Sequence, residues 1–278
     1  MKAVTRGYFR TSDNYHVYYE DYQTAGTGTP IVMLHGFLCS SKFFHKNVEA
    51  LAENHRVILV DWRGHGQSAK NTQNLTMNRC AMDLKELFDY LDLKNITLFT
   101  HSMSSSINCE YYKSFGPYRL KKMVICDSNL YPFSSGSWNT HQLKNCNMDR
   151  VSVLANYSKE EFFAYCDVFA EALFNKKISD ETKTYFADEM KKMPYWMAWP
   201  LYCDFAINDY TSILPDITIP LLIIGANSKA IDGIACANYY SKLALNAEIH
   251  LFKKNGHMMF YEVPEEFNRL LLDFVEKN

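Results

Sequence analysis

The chain has 278 residues, 47% hydrophobic and 22% charged, with a formal net charge of −2. That make-up is enough to bury a large core and provides no basic footprint for nucleic acid or an anionic membrane surface. Apolar runs such as "IPLLIIGA" fall far short of the ~20 residues that span a bilayer.

The N-terminal stretch "MKAVTRGYFRTSDNYH" has neither an apolar h-region nor a small-residue cleavage site, so it reads as no signal peptide. The 8 cysteines form no C-x-x-C pair, and free thiols in a reducing cytoplasm are the expectation. No Cys/His cluster and no H-E-x-x-H has metal-ligand spacing, so neither a metal nor a cofactor is expected.

Along the chain, "YHVYYEDY" alternates as a strand and passes through the turn-rich "TAGTGTP" to a second strand, "IVMLHG". A helical stretch over about 43–53 precedes "HRVILVDW", and a helix over about 76–93 precedes "ITLFTHS". A helix from Ser104 to about Phe115 leads to "LKKMVICD". Strands alternating with helices predict a parallel sheet covered on both faces. From about 131 to 212 the alternation stops and only helical patterns remain, one of them opened by the capping-box pair Ser158 and Glu161. It resumes with "IPLLIIGA", a helix near "IACANYYSKLAL", "AEIHLFKK" and a last helix opened by Pro264. Residues 1–130 and 213–278 therefore read as a core domain, and 131–212 as an all-helical cap over the strand ends, where such sheets bind ligands.

Chemistry collects at three places. In "LFTHSMSSSI", Ser102 follows a strand and precedes a helix, in the spacing of the nucleophile turn G-x-S-x-G, but Thr100 and Ser104 fill both glycine places. In "MLHGFL", a Gly after a strand lets the backbone approach a reacting carbonyl, with the N–H of Phe37 as one oxyanion donor and that of Met103 as the other. In "KKNGHMMFYE", His257 sits in a loop after a strand, where a general base can come from a distant part of the chain. "DWRGHGQS" is not a dinucleotide fingerprint, and Asp61 and Arg63 read as braces of a tight turn.

Together, "HGF", "DWRGHGQS", "HSMS" after a strand, the helical insertion and the late "GH" resemble the α/β-hydrolase superfamily, from about residue 8 to 276. The resemblance implies an α/β-hydrolase fold, with a mostly parallel central sheet flanked by helices and an all-helical cap inserted between two strands. It also implies a triad in the order Ser102…acid…His257. Most of the family carries the acid after the strand that follows the cap; here that place holds Ser228. Asp127, which ends "MVICD", is the favoured acid, because some branches of the family carry theirs there, and Asp232 is the alternative.

These readings converge on a serine hydrolase that cleaves a carboxylic ester, or a thioester, of a largely apolar small molecule. His35, Trp196 and Trp199 are candidate pocket residues. No nucleic-acid or membrane partner is expected, and no pattern specifies an oligomer. Two alternatives remain open at this stage. One is a cofactor-free dioxygenase of a heteroaromatic substrate with a His257–Asp127 base; the other is a ligand-binding protein with a relic triad.

Overall fold

The computed structural model describes residues 3–145, 151–152 and 155–277. Eight strands form one sheet in the order β1-β2-β4-β3-β5-β6-β7-β8. These are β1 Ala3–Arg10, β2 His16–Gln23, β3 Gly28–Leu34, β4 His55–Asp61, β5 Ile96–His101, β6 Leu120–Cys126, β7 Leu221–Ala226 and β8 Ala247–Phe252. From β4 to β8 the pairings are parallel, and β2 runs antiparallel to both β1 and β4. The sheet is thus mostly parallel, as its near-continuous apolar runs require: every residue of β5 and β7 is buried.

The strand β1 has no counterpart in the sequence reading. It is an edge strand that pairs with β2 alone, and "AVTRGYFR" carries two arginines and a glycine, so its apolar pattern is weak.

The helices of the sheet layers are α1 Val48–Leu51, α2 Met77–Tyr90, α3 Ser104–Phe115, α7 Gly233–Leu243, α8 Met259–Glu262 and α9 Pro264–Glu276. A 3-10 turn at Ser41–Phe44 and the short α1 replace the single helix read over 43–53. Between β6 and β7 lie α4 Lys159–Ala172, α5 Asp180–Met190 and α6 Tyr195–Ile207, and no strand occurs there among the described residues. Both halves of the Ser158–Glu161 capping box are formed at α4. The seven described cysteines are free, and Cys146 lies outside the described residues.

This helical stretch is tied to the sheet layers by polar bonds. Ser40 Oγ donates to Glu189 Oε1 at 3.0 Å, and the Met77 N–H at the start of α2 donates to Asp204 Oδ2 at 2.7 Å. In the "DWRGHGQS" turn, Asp61 accepts from the N–H groups of Ser41 and Gln67 at 2.6 and 2.7 Å. Buried Arg63 forks onto Asp83 at 2.5 and 2.8 Å, so the bracing expected from sequence is present.

Candidate active site

The turn at Ser102 joins β5 directly to α3, and Ser102 has φ +58°, the left-handed region that side chains rarely occupy. Strain of this kind persists only where the surroundings over-determine it. Here polar groups do so in place of the missing glycines. Thr100 Oγ1 donates to Val124 O at 2.9 Å, and Asn108 Nδ2 reaches back from α3 to Thr100 Oγ1 at 3.1 Å. Ser104 Oγ accepts from the His101 N–H at 3.0 Å. The Ser102 N–H donates to Cys126 O at 2.8 Å.

Gly36 is required beside this turn. A Cβ there would lie 2.9 Å from Ser102 Cβ, closer than real Cβ contacts, and a tight 3.1 Å from His101 Nδ1. Beyond it, neither the Phe37 N–H nor the Met103 N–H has a hydrogen-bond acceptor among the described residues. One belongs to the loop after β3 and the other to the N-terminus of α3.

His257 reaches the site from the loop after β8, and its N–H is anchored on Leu173 O at 2.7 Å, just past the end of α4. Its Nδ1 lies 2.5 Å from Asp127 Oδ2, with both side chains buried. Asp127 itself has φ +47° at the end of β6, and its Oδ1 accepts from the Ala226 N–H at 2.6 Å. Burial pushes the Asp127 carboxyl up from the ordinary value, and the hydrogen bond and charge of His257 oppose that shift.

The other candidates for the acid position are engaged elsewhere. Asp232 caps α7 by accepting from the Ala235 N–H at 3.0 Å. Ser228 Oγ accepts from the N–H groups of Ala230 and Ile231, each at 3.2 Å, and so closes its own turn.

Ser102, Met103, Phe37 and His257 share the wall of a small, partly open cavity of about 60 Å³. Tyr165, Phe169, Tyr202 and Phe205 line its apolar side, and Asn129, His141 and Gln142 its polar side. The residues expected to line the pocket do not. Trp196 is 42% exposed and stands outside it. Trp199 is buried in a ring cluster with Phe37, Tyr157, Phe162 and Tyr202, behind the wall rather than on it. His35 is also buried, stacked on Trp62 with its Nδ1 on Gly36 O. The wall comes instead from Tyr165 and Phe169 of α4 and Tyr202 and Phe205 of α6.

Another residue absent from the sequence reading as a site residue is His101. Its Nε2 lies 2.9 Å from His257 O, so Nε2 carries the proton and the bond links the nucleophile turn to the loop of His257. Its ring packs 4.3 Å from the His257 ring, and burial pushes it well below the ordinary histidine value. The sequence hint was its place beside Ser102. No group of three or more His, Cys, Asp or Glu that could hold a metal ion occurs among the described residues.

A parallel sheet with a strained strand–turn–helix serine, a loop after β3 facing it and a histidine after the last strand defines the α/β-hydrolase fold. Comparisons with known proteins agree. A family model described as "alpha/beta hydrolase fold" matches residues 29–150. The AB hydrolase superfamily protein YisY of Bacillus subtilis is 24% identical, over 96% of this chain and 98% of its own. A putative non-heme chloroperoxidase of Synechocystis is 26% identical, over 99% of this chain and 100% of its own. Among solved structures, an esterase from Exiguobacterium antarcticum superposes with a TM-score of 0.88 at 23% identity, covering 98% of this chain and 100% of that one. The chain has the α/β-hydrolase fold, and over residues 29–150 it matches the family model of that description.

Proposed function

We propose that the protein is a serine hydrolase that cleaves a carboxylic ester, or a thioester, of a largely apolar small molecule. The observation that carries this reading is the constellation on one cavity: Ser102 and His257 share its wall, and Asp127 Oδ2 stands 2.5 Å behind His257 Nδ1. The esterase name of the structural neighbour from Exiguobacterium antarcticum is in keeping with it.

In this reading Ser102 Oγ attacks the carbonyl carbon and passes its proton to His257 Nε2. Asp127 holds His257 in the tautomer with the proton on Nδ1 and stabilises the imidazolium that forms. The N–H groups of Phe37 and Met103 receive the oxyanion, each contributing about 2.7–4 kcal/mol of barrier lowering. His257 then protonates the leaving alcohol or thiol, and water resolves the acyl-enzyme. The aromatic wall favours an apolar acyl or aryl group, and among the described residues no Asp, Glu, Lys or Arg lines the cavity to receive a charged one. In this reading residues 131–212 act as the cap that roofs the cavity.

The test is labelling with a fluorophosphonate and turnover of a p-nitrophenyl ester series, with Ser102→Ala, His257→Ala and Asp127→Asn beside the wild type. Labelling at Ser102, together with loss of turnover in all three variants, supports the reading. Oxygen consumption with a heteroaromatic substrate that survives Ser102→Ala would replace it with the dioxygenase reading, for which the His257–Asp127 pair is equally suited. Ligand-induced stabilisation without any turnover would point to a binding protein.

A further inference from the structure

We propose that Ser104 is a positioning residue that holds the two halves of the oxyanion site in register. The inference rests on the reading of Ser102 as the nucleophile. The two oxyanion donors come from separate segments: Phe37 follows β3, and Met103 belongs to the turn after β5. A pair of donors stabilises an oxyanion only when both stand 2.7–3.1 Å from it, on the general geometry of such sites. The β3–β5 ladder already fixes the strands as far as Leu34 and Thr100, so what remains to be fixed is the pair of turns that follow them.

Ser104 Oγ touches both. It accepts from the His101 N–H at 3.0 Å and lies 2.9 Å from His101 O, both on the strand side of the nucleophile turn. It also lies 3.1 Å from the carbonyl of Leu34, the last residue of β3. Its single hydroxyl proton serves the two carbonyls, and its lone pairs serve the N–H. Leu34 is followed at once by His35, Gly36 and Phe37, so this bond ends three residues from the first oxyanion donor. Ser104 is itself fully buried, where a lost hydrogen bond is not replaced by water. The other polar replacement, Thr100, bonds toward β6 and α3 and does not reach β3.

The glycine of the G-x-S-x-G pattern supplies room at this position and no tie. A serine here meets the need for a small residue and adds a bond across the site. The two accounts of Ser104 therefore predict opposite outcomes for Ser104→Gly. If only smallness matters, restoring the glycine leaves turnover equal to or above the wild type.

The experiment compares wild type, Ser104→Gly, Ser104→Ala, Ser104→Thr and Ser102→Ala. It measures kcat and KM for a p-nitrophenyl ester, thermal melting, and inhibition by an aryl trifluoromethyl ketone, whose serine adduct places an oxyanion between the two donors. Ser104→Gly and Ser104→Ala are expected to lower kcat about tenfold, leave KM within about twofold and weaken the ketone by about the same tenfold factor. Ser104→Thr, which keeps the hydroxyl, is expected to retain more turnover and ketone affinity than either. Wild-type kcat and ketone affinity in folded Ser104→Gly and Ser104→Ala would overturn the inference while leaving the hydrolase reading intact. So would activity that falls only with the folded fraction, at unchanged ketone affinity. A wild type that reacts with neither ester nor ketone, like Ser102→Ala, would overturn the hydrolase reading and this inference with it.

Discussion

Asp127 occupies the space that any side chain at residue 233 would need: a Cβ built on Gly233 would fall on Asp127 Oδ1. The glycine opens α7, four residues before Ala237, whose Cβ packs against Gly225 of β7. The carboxylate at the end of β6 therefore depends on a bare backbone at the start of α7. Gly233→Ala is expected to push the carboxylate off His257 and reduce ester turnover nearly as far as Asp127→Asn does. For Asp127→Asn itself, the loss expected when a triad acid is neutralised is about 10⁴-fold in kcat. Steady-state kinetics on both variants check this, and a fully active Gly233→Ala would mean that Asp127 can shift without cost.

Asp232 gives the opposite expectation. Because its carboxylate caps α7 through the Ala235 N–H, Asp232→Ala should cost stability of about 0.5–2 kcal/mol and leave kcat close to wild type. Urea denaturation and turnover on the same preparation separate the two effects. A collapse of kcat at unchanged stability would return Asp232 to the acid role.

A third expectation concerns acid sensitivity. His35, His65 and His101 are all buried, and burial holds each below the ordinary histidine value of 6.5. In the unfolded chain these rings take up protons as pH drops through 6.5, and in the folded chain they do so only at lower pH. Their contribution to stability is therefore complete above 6.5 and is lost as pH falls below it, by up to about 1.4 kcal/mol per pH unit for each ring. Denaturation at pH 7.5, 6.5 and 5.5 should show this slope, and His65→Gln should reduce it. An identical slope in that variant would contradict the assignment.

Phe169 borders both the cavity at Ser102 and an outer cavity that shares Gln142, Tyr165, Ala230 and Ile231 with it. Phe169→Ala is expected to join the two spaces and move the preference along an acyl-ester series toward longer chains. The readout is kcat/KM across that series, and an unchanged rank order would refute it.

Most of this fold is legible from apolar runs, because strands buried on both faces read as unbroken hydrophobic stretches such as "LLIIGA". The edge strand Ala3–Arg10 is not, since one neighbour and an exposed rim ask little of its sequence. The pairing of Asp127 with His257 could be anticipated because Ser228 leaves the usual acid place empty and an aspartate ends β6. The pocket wall could not. Helix α6, "YWMAWPLYCDFAI", is apolar nearly all the way round, so no periodicity says which of its rings, Trp196, Trp199, Tyr202 or Phe205, reach the cavity. Nor does any local pattern announce the bonds from His101 to His257 O and from Ser104 to Leu34 O, because both join residues far apart in the chain.

In the proposed reading Asp127 carries the acid at the end of β6, and the loop from Asn227 to Asp232 takes no part in proton chemistry. That loop is closed by its own bonds, through Ser228 Oγ and the bridge between Asn227 and Asp232. It also supplies Ala230 and Ile231 to both cavities. In that reading reactivity and cavity lining are divided between two strand ends, so the lining loop can drift in sequence, in nature or in a designed library, without disturbing the acid.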